Sequence, residues 1–512
     1  MSTQDNSSEQ IQLFDVLPAP ISVSQFASPN GYKGLWAFHK YWGKKPVECI
    51  AFLTELLTSP GEIVLDPFMG SGLLAREAAI RRRRFVGIDI NPIAVEMTCL
   101  QLALPDPIML LTSLKRLYAN CYDRIANTYR VQDHRVATHY LWRGERLETV
   151  WIAKGKGAPR EEFQPTPHDN SLVEQYRTYE LRNARPLHLF RNSRINATEE
   201  LSWRDLFTGR ALHNIDILLE AIQHEPKELQ RPLLLSLTSS SGQMSRMVFA
   251  ITGRGKTTGI APSRIEVGSW VVGYWRPTLH FEVNVWRCFE RRVRFLAKAI
   301  SDIDSGRTFR YTRDLSTFRS RADSILLLRD DCRGALDHFP ESSVSLILTD
   351  PPHSDRIPYL EMSEMWNALL SLDTSYKNEI VVSNARERSK TKEVYLKEMN
   401  QFLESAVRVL QPGRFLAVMY NASDEQSWAF LSQCASNSRP IAFVGCFPMQ
   451  YSANSVVQDN RSGSLKSDYV LLFQKKGNCP KEISISVCQR MPGWSVDLPQ
   501  SLSGKKGVDL LD

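Results

Sequence analysis

The stretch EIVLDPFMGSGLLAREAAIRRRRFVGIDINPIAVEMTCLQLAL, Glu62 to Leu104, constrains this chain more than any other. An apolar run ends in an acid and a glycine turn, a segment of good helix formers follows, and a second apolar run ends in another acid before a second helix. Two strands joined through a helix pair in parallel, because parallel neighbours need a crossover connection. The stretch therefore predicts an open α/β sheet with helices on its faces.

The alternation then stops. From about Leu104 to Arg321 the pattern is mixed: WRGERLETVWIAKGKG reads as a hairpin, and DLFTGRALHNIDILLEAI and WRCFERRVRFLAKAI read as amphipathic helices. The first pattern resumes with SILLLRDD, SVSLILTDPP, the long helix EVYLKEMNQFLESAVRVL closed by Pro412-Gly413, and the strands RFLAVMYN, AFVGCFPMQY and SDYVLLFQKK. Two strands before the interruption and five after predict a seven-stranded, doubly wound, Rossmann-like sheet with a large mixed α/β insertion. The expected divisions are an arm over 1–30, a first part of the sheet domain over 31–104, an insertion over 105–321, a second part over 322–478 and a tail over 479–512.

Charge separates the same regions. Residues 131–320 hold 29 Lys or Arg against 21 Asp or Glu, an excess larger than the net +7 of the whole chain. A basic region suits a polyanion, and an Arg-rich solvated surface is the plainer reading. The nine cysteines form no CxxC pair, which argues against a zinc ribbon or a disulfide framework, and no histidine spacing suggests a metal. The polar opening MSTQDNSSEQ and the lack of a long apolar run predict a cytoplasmic location.

Ligands of open α/β sheets sit beyond the carboxyl ends of the strands. Asp66, Asp89 and Asp331 fall at the ends of the first three strands, and Gly70-Ser71-Gly72 follows the first. Glycines let backbone approach a ligand at a helix N-terminus, although many such corners carry one for packing alone. An acid at the end of the second strand suits ribose hydroxyls. An acid immediately before the glycine turn repels a pyrophosphate, which favours a cationic, ribose-bearing ligand such as S-adenosylmethionine over NAD or ATP.

DPFMGSG and the later DPPH resemble the motifs of the S-adenosylmethionine-dependent amino-methyltransferases that modify adenine N6 or cytosine N4 in DNA. The resemblance covers about 31–104 and 322–476. It implies that Asp66, Pro67, Phe68, Gly70 and Gly72, with Asp89 and Asp331, bind S-adenosylmethionine, and that FHKYWGKKP, with Lys45, lies near the methionine end. It implies that Asp350, Pro351, Pro352 and His353 form the catalytic motif, and that the insertion recognises DNA. In this reading Asp350 and the Pro351 carbonyl accept the N–H bonds of the target amine, and the prolines fix the backbone. His353 replaces the usual aromatic and is expected to stack on the flipped base, helped by Tyr359 or Trp366.

LFTGRAL and IPYLEMSEMW also look like features of a bacterial DNA methylase subgroup. Arg287, Arg291, Arg292 and Arg294 are candidates for the DNA backbone, with Trp286, Phe289, Val293 and Leu296 on the opposite, core-facing side of their helix. The Arg81–Arg84 run is a weaker candidate for phosphate. Asp at the first catalytic position tilts the reading to adenine N6 over cytosine N4. An RNA guanine-N2 methyltransferase and a catalytically inactive nucleic-acid-binding module are the alternatives. A cognate restriction nuclease or defence-system subunit would be a further partner.

Overall fold

The computed structural model describes residues 32–153, 160–252, 265–270, 273–303, 308–320, 325–421, 427, 430–431, 440–449 and 468–477. The expected arm over 1–30 and tail over 479–512 lie outside them.

The first part supplies α1 (Val47–Leu57), β1 (Ile63–Asp66), α2 (Leu73–Ile80), β2 (Arg84–Ile88) and α3 (Pro92–Leu102). The inserted region contributes α4 (Pro107–Asn127), β3 (His139–Arg143), β4 (Arg146–Ala153), β5 (Arg160–Phe163), α5 (Gly209–Gln223), α6 (Lys227–Met244), β6 (Leu279–Val283), α7 (Val285–Ser301) and β7 (Tyr311–Thr312). The last part holds β8 (Ile325–Leu328), α8 (Cys332–Asp337), β9 (Val344–Thr349), α9 (Tyr359–Leu369), α10 (Lys392–Val409), β10 (Leu410–Tyr420), β11 (Ile441–Met449) and β12 (Asp468–Lys475).

The main sheet runs β11-β12-β10-β9-β1-β2-β8-β7. Its neighbours are parallel except for β12, which is antiparallel to both β10 and β11. It has eight strands, not the expected seven. The extra one is the two-residue edge strand β7, too short to show alternation, and it lies within the span assigned to the insertion. The chain leaves β1 toward β2 on one side and returns as β9 on the other, so the topological switch point lies between β1 and β9. All six residues of β9 are buried, as a central parallel strand covered on both faces requires.

Pro412-Gly413 was expected to separate a helix from the next strand, yet it falls within β10. The β9–β10 register jumps there, from Val344 opposite Leu410 to Leu346 opposite Phe415. The extra residues bulge out of the ladder, where a proline without an N–H is tolerated.

The inserted region carries a separate antiparallel sheet, β5-β4-β3-β6, with a small cluster of its own around Trp151 and Phe281, but its main core is shared. Helix α3 is buried on every side. Val95, Cys99 and Leu102 pack into the sheet core with Val64 and Phe85, while Ile93, Met97 and Leu100 join a second core with Leu114 of α4 and Leu233 of α6. Met362, Met365 and Trp366 of α9 enter that second core too. A helix that is apolar all round belongs between two layers, and α3 is the shared wall.

LFTGRAL works inside the inserted region, and IPYLEMSEMW reaches across to it. Thr208 caps α5, and Arg210 forms a buried pair with Glu282 of β6 at 2.8 Å. Buried Glu364 of α9 pairs with Arg185, and buried Glu361 with Arg388.

Candidate active site

A cleft of about 110 Å³ opens at the carboxyl ends of β1, β2 and β9. Asp66 ends β1, Asp89 follows β2 and Asp350 follows β9, so three acids far apart in sequence face one space. Asp331 lies three residues past β8, where its carboxylate caps α8 and pairs with Arg333 at 2.7 Å.

Backbone groups hold Asp89. Its Oδ2 accepts the Gly70 N–H at 2.7 Å and its Oδ1 accepts the Asn91 N–H at 2.8 Å. Gly70 and Gly72 both adopt left-handed φ, at 54° and 79°. A Cβ on Gly72 would stand 2.4 Å from Thr98 Oγ1 of α3, so close helix packing also demands glycine there. Asp66 Oδ1 accepts the Phe68 N–H at 3.1 Å and the Thr349 hydroxyl at 2.7 Å, tying β1 to β9. Burial pushes Asp66 up to about 7 and Asp89 up to about 6, more than their hydrogen bonds pull them down.

Side chains hold Asp350. Its Oδ2 lies 3.0 Å from Lys45 Nζ, which is itself 2.6 Å from Asp468 Oδ2 at the start of β12. Its Oδ1 lies 2.9 Å from His353 Nε2. The His353 ring meets Tyr420 edge to face, with centroids 4.9 Å apart. The Pro352 carbonyl is taken by the Tyr395 hydroxyl at 2.7 Å. That of Pro351 accepts no hydrogen bond among the described residues.

The lining carries six carboxylates, Asp66, Asp89, Asp330, Asp331, Asp350 and Glu379, against two lysines. Lys44 turns away, donating to the carbonyls of Trp36 and His39 at 2.8 and 2.7 Å, and burial lowers it to about 7. Asp331 is paired with Arg333 and Glu379 with Arg388, and the remaining acids still leave the lining with an excess of negative charge.

The structure brings Lys45, Asp66, Pro67, Phe68, Gly70, Asp89, Asp331, Asp350 and Pro352 to the lining, whereas Gly72, Pro351 and His353 adjoin lining residues in sequence without being part of it. Tyr359 also lines it, its ring stacked on Tyr41 with centroids 5.7 Å apart. Trp366 does not reach the cleft. It is 1% exposed and stacks on Trp42 in the second core, so it cannot meet a base.

Arg287, Arg291 and Arg294 are exposed on α7 and Arg292 is half-buried, none of them on the cleft wall. Trp286, Phe289, Val293 and Leu296 are core, as their helical spacing indicates. Three of the Arg81–Arg84 run are engaged internally and Arg82 is exposed: Arg81 pairs with Glu55 and Glu77, Arg83 bonds Thr58, and Arg84 lies over Phe318. Sequence reasoning missed Asp468 and Glu379. Nothing local marks either; a lysine beside the expected catalytic acid, needing a second carboxylate, is the only hint.

Residues 6–99 match the family model described as a DNA methylase. The match takes in the glycine turn and Asp89 and stops before Asp350. No curated protein matches the chain. A Thermus thermophilus protein provisionally described as a DNA modification methylase is 16% identical, with a TM-score of 0.18, over 30% of this chain and 54% of that one. A second solved structure, PH0851, is 15% identical, with a TM-score of 0.17, over 36% of this chain and 40% of that one. The chain thus spans about half or less of either, and overlays at those scores carry no argument. No helix among the described residues is long and apolar enough to cross a membrane. The family match covers the part of the chain that supplies the Asp66–Gly72 turn and Asp89.

Proposed function

We propose that this chain transfers a methyl group from S-adenosylmethionine to an exocyclic amine of DNA, adenine N6 ahead of cytosine N4. The observation that carries the reading is the convergence of Asp350, after β9, with the Asp66–Gly72 turn and Asp89 in one acidic cleft. The residues fit that cofactor: Asp89 is a half-buried acceptor for ribose hydroxyls, Gly70 leaves the turn open, and the surplus of carboxylates suits a sulfonium and an ammonium. The cofactor supplies an activated methyl group when bound.

The chain's own task is to prepare the nucleophile. An exocyclic amine is weak because its lone pair is delocalised into the ring. Asp350 and the uncommitted Pro351 carbonyl can each accept one amine N–H, which turns the nitrogen toward sp³ and aims its lone pair. Positioning of this kind supplies on the order of 7–11 kcal/mol. The base must leave the duplex to reach the cleft, and the inserted region, sharing a core with α9, is the part we assign to DNA recognition.

The test is methyl transfer from labelled S-adenosylmethionine to unmethylated bacterial DNA and, in parallel, to total RNA, followed by nucleoside mass spectrometry. N6-methyladenine in DNA is the expected product. N4-methylcytosine would reassign the base, label confined to RNA would move the substrate to a guanine N2 amine, and label in neither would overturn the reading.

A further inference from the structure

The residue after Asp350-Pro351-Pro352 invites a stacking role, but the geometry around it differs. His353 Nε2 is 2.9 Å from Asp350 Oδ1 and 3.3 Å from the Met419 carbonyl. Both facing atoms are acceptors, so Nε2 must carry the hydrogen and donate. The ring is only 11% exposed and its position is fixed by the edge-to-face contact with Tyr420. Tyr420 is fixed in turn by its hydroxyl, which lies 3.1 Å from that of Tyr395. Ser354 then takes a left-handed φ of 54°, uncommon for a residue with a side chain, as the chain turns after the imidazole. Its N–H closes the turn onto the Pro352 carbonyl at 3.0 Å.

On the other side, Lys45 Nζ meets Oδ2 of the same carboxylate at 3.0 Å and is anchored by Asp468. Each oxygen of Asp350 thus has one donor from the protein and keeps lone pairs to spare. A carboxylate gripped at both ends cannot rotate, and the direction in which it accepts is set before substrate arrives.

We propose that His353 is a positioning residue for Asp350, with Lys45 and Asp468 as its counterpart on the other oxygen, and that its hydrogen bond rather than a stacking face is its contribution. This rests on the amine-methylation reading above. A phenylalanine in this position offers a ring without a donor; the imidazole offers the donor.

Two substitutions separate the roles. His353→Gln keeps an N–H donor near the place of Nε2 and removes the ring, whereas His353→Phe keeps a ring and removes the donor. We expect His353→Phe to lower kcat about 10- to 100-fold with the KM for DNA little changed, the scale of a lost hydrogen bond to a charged group. His353→Gln should recover most of that loss. The reverse order, with Phe active and Gln raising KM, would overturn the proposal, and so would equal losses in both.

A readout independent of turnover is the 15N NMR of histidine-labelled full-length protein, with the His353 signals assigned by their loss in His353→Gln. The expected form is the Nε2–H tautomer, and an Nδ1–H tautomer would overturn the proposal. Wild-type protein that methylates neither DNA nor RNA would sink the functional reading, while the tautomer would still decide the role of His353.

Discussion

Asp89 and Asp350 follow the two strands that flank β1, and they are held in opposite ways. Asp89 receives two backbone N–H groups from Gly70 and Asn91. Asp350 receives a lysine and a histidine side chain, and the lysine depends on a third residue, Asp468. A backbone-held acid is part of the turn that positions it. A side-chain-held acid can be tuned or lost by changes elsewhere in the chain. Asp89 is thus held by nearby backbone, and Asp350 by side chains, one local, His353, and one distant, Lys45.

The sharpest way to break that contrast is Lys45→Met. Lys45 and Asp468 are 4% and 3% exposed, and removing the lysine takes the nearest counter-charge from buried Asp468, whose Oδ1 keeps Arg356 only at 4.0 Å. We expect a loss of about 3–5 kcal/mol in denaturant unfolding, with part of it restored in the Lys45→Met/Asp468→Leu double variant. Unchanged stability in Lys45→Met would mean that the pair does not hold the surroundings of Asp350 together.

Asp350→Ala comes next. It leaves Lys45 paired with Asp468, so the fold should persist, and we expect turnover to fall by on the order of 10²- to 10³-fold with cofactor affinity retained. Collapse of cofactor binding, measured by calorimetry, would move Asp350 to the wrong half. Asp89→Ala should do the converse, weakening cofactor binding about 10- to 100-fold by losing charged acceptors and loosening the Gly70 turn. Unchanged affinity would remove Asp89 from the ribose.

The same contrast explains what the sequence discloses. Most bonds around Asp66 and Asp89 are short in sequence: Phe68 to Asp66, Asn91 to Asp89, and Gly70 to Asp89 over 19 residues, with the Thr349 hydroxyl on Asp66 as the exception. Strand, turn and helix periodicities carry them, so the acids, the glycine turn and the order of the elements are readable. Lys45 and Asp468 are 423 residues apart, and no periodicity connects them. The core shared through α3 is invisible for a related reason. A helix apolar on every side shows that it is buried, without saying that its second neighbour is the inserted region. Trp366 failed as a base-stacking candidate because helical spacing on α9 does not say which layer its buried face meets. The two residues of β7 gain strand geometry only from pairing with β8.

The smallest effect is a pH dependence that belongs to the backbone-held half. Asp66 sits at about 7 and Asp89 at about 6, both raised above the ordinary carboxylate value by burial. A carboxyl raised by folding favours the folded state below its unfolded value, near 4, and that contribution is lost as pH climbs through the folded value. The unliganded protein should therefore lose stability from these two groups between about pH 4 and pH 7. A cationic cofactor prefers both groups ionised, so its affinity should run the other way and weaken by about three- to tenfold from pH 8 to pH 6. Comparison with Asp66→Asn cancels the titration of the ligand itself and should leave a shallower slope. Identical slopes in the two proteins would mean that Asp66 does not change its ionisation on binding, and that Asp89 alone supplies the charge in this half of the cleft.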